Sequence, residues 1–319
     1  MPALQELKKW HVDYQNTSWE FIMTGISQIN NFIDYMTNIK KSSKNTLSAY
    51  ERDLDSFGSF IIDADKDVAK VSASDIDAYK NFLNKKGFSA SSVSRAMSSI
   101  RGFYKYLLVS GEIKEDPSKK IKNEKVVKKS FEVLTSKEID LLLSQPDVKT
   151  IKGIRDKAML EIMYATGMKV SELISLQLSD VNIKLGFVLC HGEESQKHDR
   201  TIFLYPAAVK AVKDYLDNSR SFLDVGDDSS LFLNINGSGM TRQGFWKILK
   251  GYVSDAGIEK TITPHTLRHS FATHLLENGA DINDIKEILG HSDIASTQVY
   301  ADYIKGKIKD SYLKFHPRA

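Results

Sequence analysis

The sequence predicts a mainly α-helical protein with a small antiparallel β-sheet, divided into two domains. Apolar residues between positions 26 and 109 recur at steps of three and four, which is the spacing of amphipathic helices. Residues 180–192 and 199–205 are instead rich in β-branched and aromatic residues around turn signals, which indicates short strands. The basic, weakly apolar stretch 111–130 between these regions predicts a linker.

The composition is typical of a globular protein that can bury two separate cores. The chain has 319 residues, of which 41% are hydrophobic and 27% are charged. It contains no apolar run of the roughly 18 residues that a membrane helix needs, and no secretory signal, so we expect a cytoplasmic protein. The single cysteine, Cys190, cannot form an intramolecular disulfide and is interpreted as a small strand residue.

The first half of the chain predicts a bundle of four helical segments. Gly87 and Gly111 fall where helices are expected to end. We expect residues 26–112 to form this domain, with residues 1–25 as an N-terminal extension and residues 113–130 as the linker. The apolar stripes are Ile29, Phe32, Ile33 and Met36; Leu47, Tyr50, Leu54, Phe57 and Ile61; Ile76, Tyr79, Phe82 and Leu83; and Val93, Met97, Ile100, Tyr104 and Leu107.

The second half, residues 131–319, predicts another helical domain, which also contains the small sheet. Thr135 is followed three residues later by Glu138, a capping-box signature that marks the start of a helix. Helical spacing continues through most of this half, interrupted by the two strand-like stretches. Further helices are predicted over residues 153–165, 169–177, 206–219, 241–256, 266–278, 282–289 and 295–303.

The net charge does not identify a partner, but its distribution is uneven. The formal net charge is only +3, a mild excess that many proteins without nucleic-acid partners share. The stretch 111–130 holds seven lysines against four acidic residues, so its surplus equals that of the whole chain. This linker is either a solvated tether or a segment that also lies along a phosphate backbone.

One short stretch, TPHTLRHSFATH at residues 263–274, contains three of the eight histidines of the chain. A zinc-protease helix requires the pattern His-Glu-x-x-His, and here no glutamate follows the first histidine. Arg268, next to the second histidine, would also repel a divalent cation. We therefore expect no metal at this stretch.

The same stretch indicates a phosphate site. His265 and Arg268 are three residues apart and share one face of a helix, whereas we expect His269 and His274 to sit at other angles. We interpret His269 and His274 as structural residues that are hydrogen-bonded near the core. Pro264 places the first pair at a helix N-terminus, where unpaired N–H groups and the macrodipole favour an anion. Solvated surface pairs with this spacing are also common, so the spacing alone leaves both interpretations open.

Residues 265–300 resemble the tyrosine recombinases, the family of the phage integrases and the Xer-type resolvases. The family pattern is His-x-Leu-Arg-His, then Leu-Gly-His, then a tyrosine nine residues later, and HTLRHSFATHLLENGADINDIKEILGHSDIASTQVY reproduces it without a gap. The segment YATGMKVSELISLQLSDV is similar to the family's Thr-Gly-x-Arg-x-Ser-Glu-Leu segment. The N-terminal helices resemble its core-binding domain, so the resemblance covers residues 26–315.

The resemblance implies both a fold and an arrangement on DNA. It implies an N-terminal, SAM-like core-binding bundle and a C-terminal tyrosine recombinase catalytic domain. In the family these two domains clamp duplex DNA, with the linker running across it. The family also implies a synaptic tetramer on the recombination site, either a homotetramer or a heterotetramer with a paralogous recombinase.

The resemblance assigns roles to four residues that match the pattern. Tyr300 would be the nucleophile and would form a 3′-phosphotyrosyl link with a free 5′-hydroxyl. Arg268 would stabilise negative charge on the non-bridging oxygens, and His291 would hold a phosphate oxygen. His265 would donate to the phosphate and take part in proton transfer. Because the phosphotyrosine retains the bond energy, the resemblance implies no ATP. Because arginine and histidine bear the charge, it implies no metal and no other cofactor.

Two positions depart from the family pattern. Lys169 stands where the family has its first arginine, and it keeps the charge but not the fork-shaped contact. Losing one charge-assisted hydrogen bond costs about 1.5–3 kcal/mol, which is roughly ten- to a hundredfold in rate. The family's hairpin lysine, the general acid for the leaving oxygen, would fall on Glu193, which cannot fill that role. Lys197 is the only lysine in this turn and is our candidate for it.

The sequence therefore predicts a site-specific recombinase that cuts and rejoins duplex DNA. Chromosome-dimer resolution and mobile-element integration or excision fit equally well, because both use the same chemistry. Lys169 and Glu193 favour one alternative, a catalytically silent DNA-binding paralogue, and the histidines suggest another, a metal-dependent hydrolase. We interpret Glu172 as a supporting residue or half of a buried pair, and Trp246 as a core residue.

Overall fold

The computed structural model describes residues 16–121, 131–192, 199–226 and 228–315. The described residues up to 121 form one compact unit, and those from 131 onward form another. Both units are mainly helical, and the second contains one three-stranded antiparallel sheet. These observations confirm the predicted fold class. Among the described residues, no helix has the length and apolar character to cross a membrane.

The first unit is a bundle of four helices around an aromatic core. An edge-to-face contact between the rings of Phe57 and Tyr79, with centroids 5.2 Å apart, and a hydrogen bond of 2.9 Å from the Tyr104 hydroxyl to the Val68 carbonyl stabilise the bundle. The first helix begins at Asn16, inside the segment expected to be an extension. The helices are α1 (Asn16–Asn38), α2 (Lys44–Asp63), α3 (Ala73–Lys85) and α4 (Ala90–Val109).

The second unit packs most of its helices around one large apolar cluster. The last helix was expected to end at residue 303 but continues to Phe315, because Gly306 weakens a helix without ending it and the next proline is Pro317. The residues Leu216–Arg220 form a π-helical turn. The helices are α5 (Ser136–Ser144), α6 (Ile151–Thr166), α7 (Val170–Ser175), α8 (Pro206–Tyr215), α9 (Ser221–Leu223), α10 (Arg242–Asp255), α11 (Pro264–Glu277), α12 (Ile282–Leu289) and α13 (Ala295–Phe315).

The sheet lies between α7 and α8 in the chain and consists of β1 (Val181–Asn182), β2 (Phe187–Cys190) and β3 (Arg200–Phe203), in that order. The register pairs Cys190 with Arg200 and Val188 with Ile202. Side chains alternate between the faces of a strand, so these four residues share one face. Cys190, Val188 and Ile202 are buried there, which places Arg200 on the side of the sheet that faces the core.

The expectation that Trp246 is a core residue is wrong. Its side chain is 47% exposed, and the neighbouring Phe245 is fully buried instead. Phe245, Leu249 and Val253 recur at steps of four and form the buried stripe of α10, so Trp246 points about 100° away from the core. The Lys250 ammonium lies 5.4 Å from the centre of the Trp246 ring.

Candidate active site

The helix α11 begins two residues earlier than expected, at Pro264, because Thr263 caps it. The Thr263 hydroxyl accepts a hydrogen bond of 3.2 Å from the Thr266 amide, and proline is well suited to the first helical position. His265 is therefore in the first turn of the helix and is exposed. Partial desolvation and the charges of Arg268 and Lys169 lower the pKa of His265. This end of α11 supplies the first part of the site.

The guanidinium of Arg268 joins three segments that are distant in the sequence. The residue is only 4% exposed. Its Nη1 donates to the Gly167 carbonyl at 2.6 Å, and its Nη2 donates to the Leu289 carbonyl at 2.8 Å. The same Nη2 lies 2.9 Å from Nε2 of His291. The ends of α6 and α12 thus meet on one charged side chain of α11.

Burial and this contact together keep the His291 imidazole neutral. Burial first, and then the positive charges of Arg268 and Lys169, lower the pKa of His291 to about 4, so the ring is neutral at pH 7. Because Arg268 can only donate, Nε2 of His291 must accept, and the proton lies on Nδ1. Nδ1 then donates to the Thr297 hydroxyl at 2.9 Å. The ring is held from both sides.

A glycine makes the approach of α6 to this guanidinium possible. Gly167 ends α6 in the left-handed conformation, with φ of 58°, which strains any residue that has a side chain. A Cβ atom at this position would also lie 2.3 Å from Cδ1 of Phe271. The Thr-Gly of the TGMK segment therefore sets the distance between α6 and α11, and the Gly167 carbonyl can reach Arg268.

Tyr300 lies on α13 and is almost fully enclosed, with 2% of its surface exposed. Its hydroxyl lies 3.1 Å from Nδ1 of His269, and its ring packs against Phe131 at 5.5 Å between centroids. Burial raises the pKa of the Tyr300 phenol, and the nearby Arg268 charge opposes this rise. The structure therefore brings Tyr300 together with Arg268, as the sequence pattern predicts.

The contact with Tyr300 corrects the interpretation of His269 as a structural residue at another angle. His269 follows His265 by four residues, which places both on one side of the helix, and their ring centroids are 6.4 Å apart. Burial, followed by the effects of His265 and Arg268, lowers the pKa of His269 to about 4. The neutral imidazole can accept a hydrogen bond from the phenol. The spacing of four residues between His265 and His269 was the sequence signal that could have placed His269 in the site.

The other residues of α11 agree with their predicted roles more closely. Nδ1 of His274 shares a hydrogen bond of 2.8 Å with the Tyr164 hydroxyl, a contact that does not involve Tyr300. Phe271 is buried, and Leu275 and Leu276 pack partly buried against the same apolar cluster. His274 thus keeps its interpretation as a structural residue.

Lys169 lies at the start of α7, immediately after the glycine turn. Its backbone amide donates to Oε2 of Glu172 at 2.7 Å. The Lys169 charge contributes to the lowered pKa values of His265 and His291, so it belongs to the same electrostatic environment. Glu172 is buried and forms an ion pair with Arg200, in agreement with its interpretation as half of a buried pair. Lys197 and Glu193 lie outside the described residues.

A second ionic cluster closes the base of the β2–β3 hairpin. Nδ1 of His191 lies 2.9 Å from Asp199, and its Nε2 lies 3.1 Å from Asp180. The hydrogen bonds to Asp199 and Asp180 raise the pKa of His191, so protonation strengthens this contact. The sequence analysis did not find this cluster, because its members have no motif spacing.

Comparison with known proteins supports the resemblance seen in the sequence. Residues 132–306 match the phage integrase family, and residues 29–111 match the phage integrase N-terminal SAM-like domain. The chain is 43% identical over 300 residues to the tyrosine recombinase XerD of Listeria monocytogenes serotype 4b (strain F2365), covering 91% of this chain and 99% of the relative. It is 44% identical over 295 residues to the XerD of Oceanobacillus iheyensis, covering 91% and 98%.

Solved structures show the same fold. The crystal structure of XerA recombinase is 29% identical and covers 92% of this chain and all of the other, with a TM-score of 0.52. The XerH site-specific recombinase, crystallised in a post-cleavage complex with a palindromic difH substrate, has a TM-score of 0.70 at 21% identity, covering 94% and 89%.

The fold, the family match and the named relatives define an enzyme class that cuts and rejoins DNA through a tyrosine. Over more than half its length the chain matches one family, and it belongs to the phage integrase family, the tyrosine recombinases. Its relatives named above are of the Xer type.

Proposed function

We propose that the chain is a site-specific recombinase in which Tyr300 attacks a phosphodiester of duplex DNA. The attack forms a 3′-phosphotyrosyl bond and releases a 5′-hydroxyl. The 5′-hydroxyl of a partner strand then attacks the phosphotyrosine, which joins the exchanged strands and releases Tyr300. The main support is the convergence of the Tyr300 phenol, the Arg268 guanidinium and the imidazoles of His269 and His291 from distant parts of the chain.

The charges of the site suit a phosphoryl transfer. Arg268 supplies a fixed positive charge where negative charge grows on the non-bridging oxygens, and burial strengthens such an interaction. Lys169 adds a second charge nearby, and His265 and His291 add imidazole groups. His269 is neutral and adjacent to the phenol, so it is our proposed acceptor for the proton of Tyr300.

The leaving 5′-oxygen also needs a proton, and we propose that Lys197 supplies it. In the sequence, Lys197 lies between β2 and β3, and His191 and Asp199, which flank this stretch, are in contact. A lysine side chain is long, and a hairpin turn can present it to a bound substrate. The family pattern places this lysine at Glu193 in this sequence. The proposal therefore requires Lys197 to fill the role from four positions later in the chain.

The partners and domain limits belong to the same proposal. Solved relatives of this fold are recombinases in complexes with DNA. We propose a tetramer on the recombination site, formed by this chain alone or with a paralogous recombinase, acting in the cytoplasm. Residues 26–112 would be the core-binding DNA-binding domain and residues 131–319 the catalytic domain, joined by the linker 113–130, and residues 1–25 would be an extension. Chromosome-dimer resolution and mobile-element integration both agree with this chemistry.

The test is covalent capture of DNA by the full chain. The probe is a library of nicked duplexes with randomised arms, in which the cut strand loses its short end and cannot be rejoined. We expect the native protein to form an adduct that withstands denaturation, and sequencing of the captured DNA to define the site. Tyr300→Phe should form none, whereas Tyr303→Phe, which alters a ring packed on the same Phe131, should remain active.

Two other results would contradict the proposal. Tight binding of the library by the native protein without any adduct would instead support a silent DNA-binding paralogue. An adduct that persists in Tyr300→Phe would show that another residue is the nucleophile.

A further inference from the structure

We infer that Arg200 is a positioning residue for DNA cleavage, because it holds the segments that carry Lys169 and His291 from the edge of the sheet. This inference rests on the proposed function. Arg200 is the first residue of β3, and its side chain is 9% exposed on the core-facing side. It is not one of the residues that the family pattern marks in this sequence.

The first contact of Arg200 leads to Lys169. Its Nη1 and Nη2 donate to the two carboxylate oxygens of Glu172, at 3.1 and 3.0 Å. Oε2 of Glu172 also accepts the amide of Lys169 at 2.7 Å. One carboxylate thus connects the guanidinium to the backbone from which the Lys169 side chain leaves. Such a two-point contact fixes orientation as well as distance.

The second contact leads to His291. Nε of Arg200 donates to the Ile288 carbonyl at 2.6 Å. Gly290 follows in the left-handed conformation, with φ of 66°, and a Cβ atom there would lie 2.9 Å from Nη1 of Arg200. The turn that places His291 is therefore packed directly against the guanidinium.

The end of α12 is shared between two arginines. Arg200 takes the Ile288 carbonyl, and Arg268 takes the next carbonyl, that of Leu289. Carbonyls at a helix C-terminus lack partners within the helix and carry the negative end of its dipole, so two cations stabilise this end. A change at Arg200 would therefore alter a segment that Arg268 also contacts.

The ion pair between Arg200 and Glu172 is largely buried, so we expect its loss to change the structure around it. Burial raises the pKa of Glu172, but the hydrogen bonds and charge of Arg200, together with the Lys169 amide and the Arg268 charge, outweigh it and leave the pKa below its usual value. Removing one partner of a buried pair leaves the other charge uncompensated. Without Arg200, the Glu172 carboxylate is free to attract the Lys169 ammonium, which would draw that charge away from the phosphate.

The geometry assigns Arg200 an indirect role. Its three nitrogen atoms donate to Glu172 and Ile288, so the described contacts point to protein groups and not to a bound phosphate. Arg200 should then act on the cleavage rate at saturating DNA through Lys169 and His291, with a small effect on DNA affinity.

The experiment measures single-turnover adduct formation on the nicked duplex captured above. For Arg200→Met we expect the rate at saturating DNA to fall by tenfold or more, as for one lost charged contact, and the Kd for DNA to change less than about threefold. Arg220→Met is the matched control, since Arg220 is another buried arginine of this unit and holds Asp224 and the Ser230 carbonyl. It should lower stability while the saturating rate of its folded fraction stays native.

Double variants separate positioning from general destabilisation. In a Lys169→Ala or His291→Ala background, Arg200→Met should cost clearly less than it does alone, since the residue that it positions is already missing. The inference is overturned if the cost is fully additive in both backgrounds, or if Arg220→Met slows the folded protein equally. Failure of the native protein to form any adduct would instead contradict the proposed function.

Discussion

Nδ1 of His269 and the hydroxyl of Tyr300 share a hydrogen bond of 3.1 Å, although the two residues are 31 positions apart. The bond joins a phenol whose pKa is raised by burial to an imidazole whose pKa is lowered to about 4. At pH 7 the phenol keeps its proton and the imidazole is neutral. The proposed nucleophile and its proposed proton acceptor are therefore in hydrogen-bond contact in the protein alone.

His269→Gln should slow adduct formation by about a hundredfold, the low end of what a positioned proton acceptor contributes. Glutamine keeps a polar group near Tyr300 but is not a base. The measurement is the rate of covalent capture at saturating DNA. His274→Gln is the control, because it alters a histidine of the same helix that contacts Tyr164 instead. Equal losses in the two variants would show that His269 only supports the helix.

Lys169→Ala should also slow cleavage by roughly tenfold to a hundredfold, because one charge-assisted contact to the phosphate is lost. Lys169→Arg should match or exceed the native rate, since a guanidinium keeps the charge and adds a second donor. Capture rates of the three proteins at saturating DNA test this. If Lys169→Ala cleaves as fast as the native protein, Lys169 has no part in the chemistry.

Stability should fall in acid because of His269 and His291. Burial, with the help of nearby positive charge, lowers both pKa values to about 4. Between the ordinary value near 6.5 and pH 4, the unfolded chain binds more protons than the folded chain, so the free energy of unfolding decreases as pH falls. The urea midpoint should follow this trend. A double variant, His269→Gln with His291→Gln, should show a shallower decline, and an equally steep decline would refute the assignment.

Trp246→Ala should weaken DNA binding without unfolding the protein. The exposed ring lies beside Lys250 on a face of α10 that also exposes Arg242 and Lys247. A loss of about 1 kcal/mol of contact would raise the Kd roughly fivefold, and the unfolding free energy should stay within about 0.5 kcal/mol. Phe245→Ala, one residue earlier and fully buried, should instead destabilise by about 3–5 kcal/mol. An unchanged Kd for Trp246→Ala would exclude this face from the DNA contact.

Local patterns were sufficient for most of the fold. The apolar steps that include Leu54, Phe57 and Ile61 became the buried face of α2, and Thr135 with Glu138 capped α5 as the capping box predicts. Hydrophobic spacing and caps are properties of neighbouring residues, so they can be read from the sequence. The polar pattern from His265 to Tyr300 likewise indicated which residues to expect in the site.

The contacts that complete the site depend on packing between distant segments. Arg200 has no local motif, and its role appears only when β3, α7 and the end of α12 meet. The partner of His269 could not be known before α13 was placed against α11. Trp246 was misassigned for a different reason, since two adjacent aromatic residues compete for one buried stripe and only the helical phase decides between them.

The burial of Tyr300 has a consequence for bystander DNA. A recombinase searching a chromosome touches vast numbers of phosphodiesters that it must leave intact. With 2% of Tyr300 exposed, its side chain is almost entirely covered by the surrounding protein. If Tyr300 is the nucleophile, we expect α13 to shift before the phenol oxygen can reach a phosphodiester, so breakage would require the chain to stay on one sequence long enough for that shift. Brief encounters with other sequences would then leave the DNA intact.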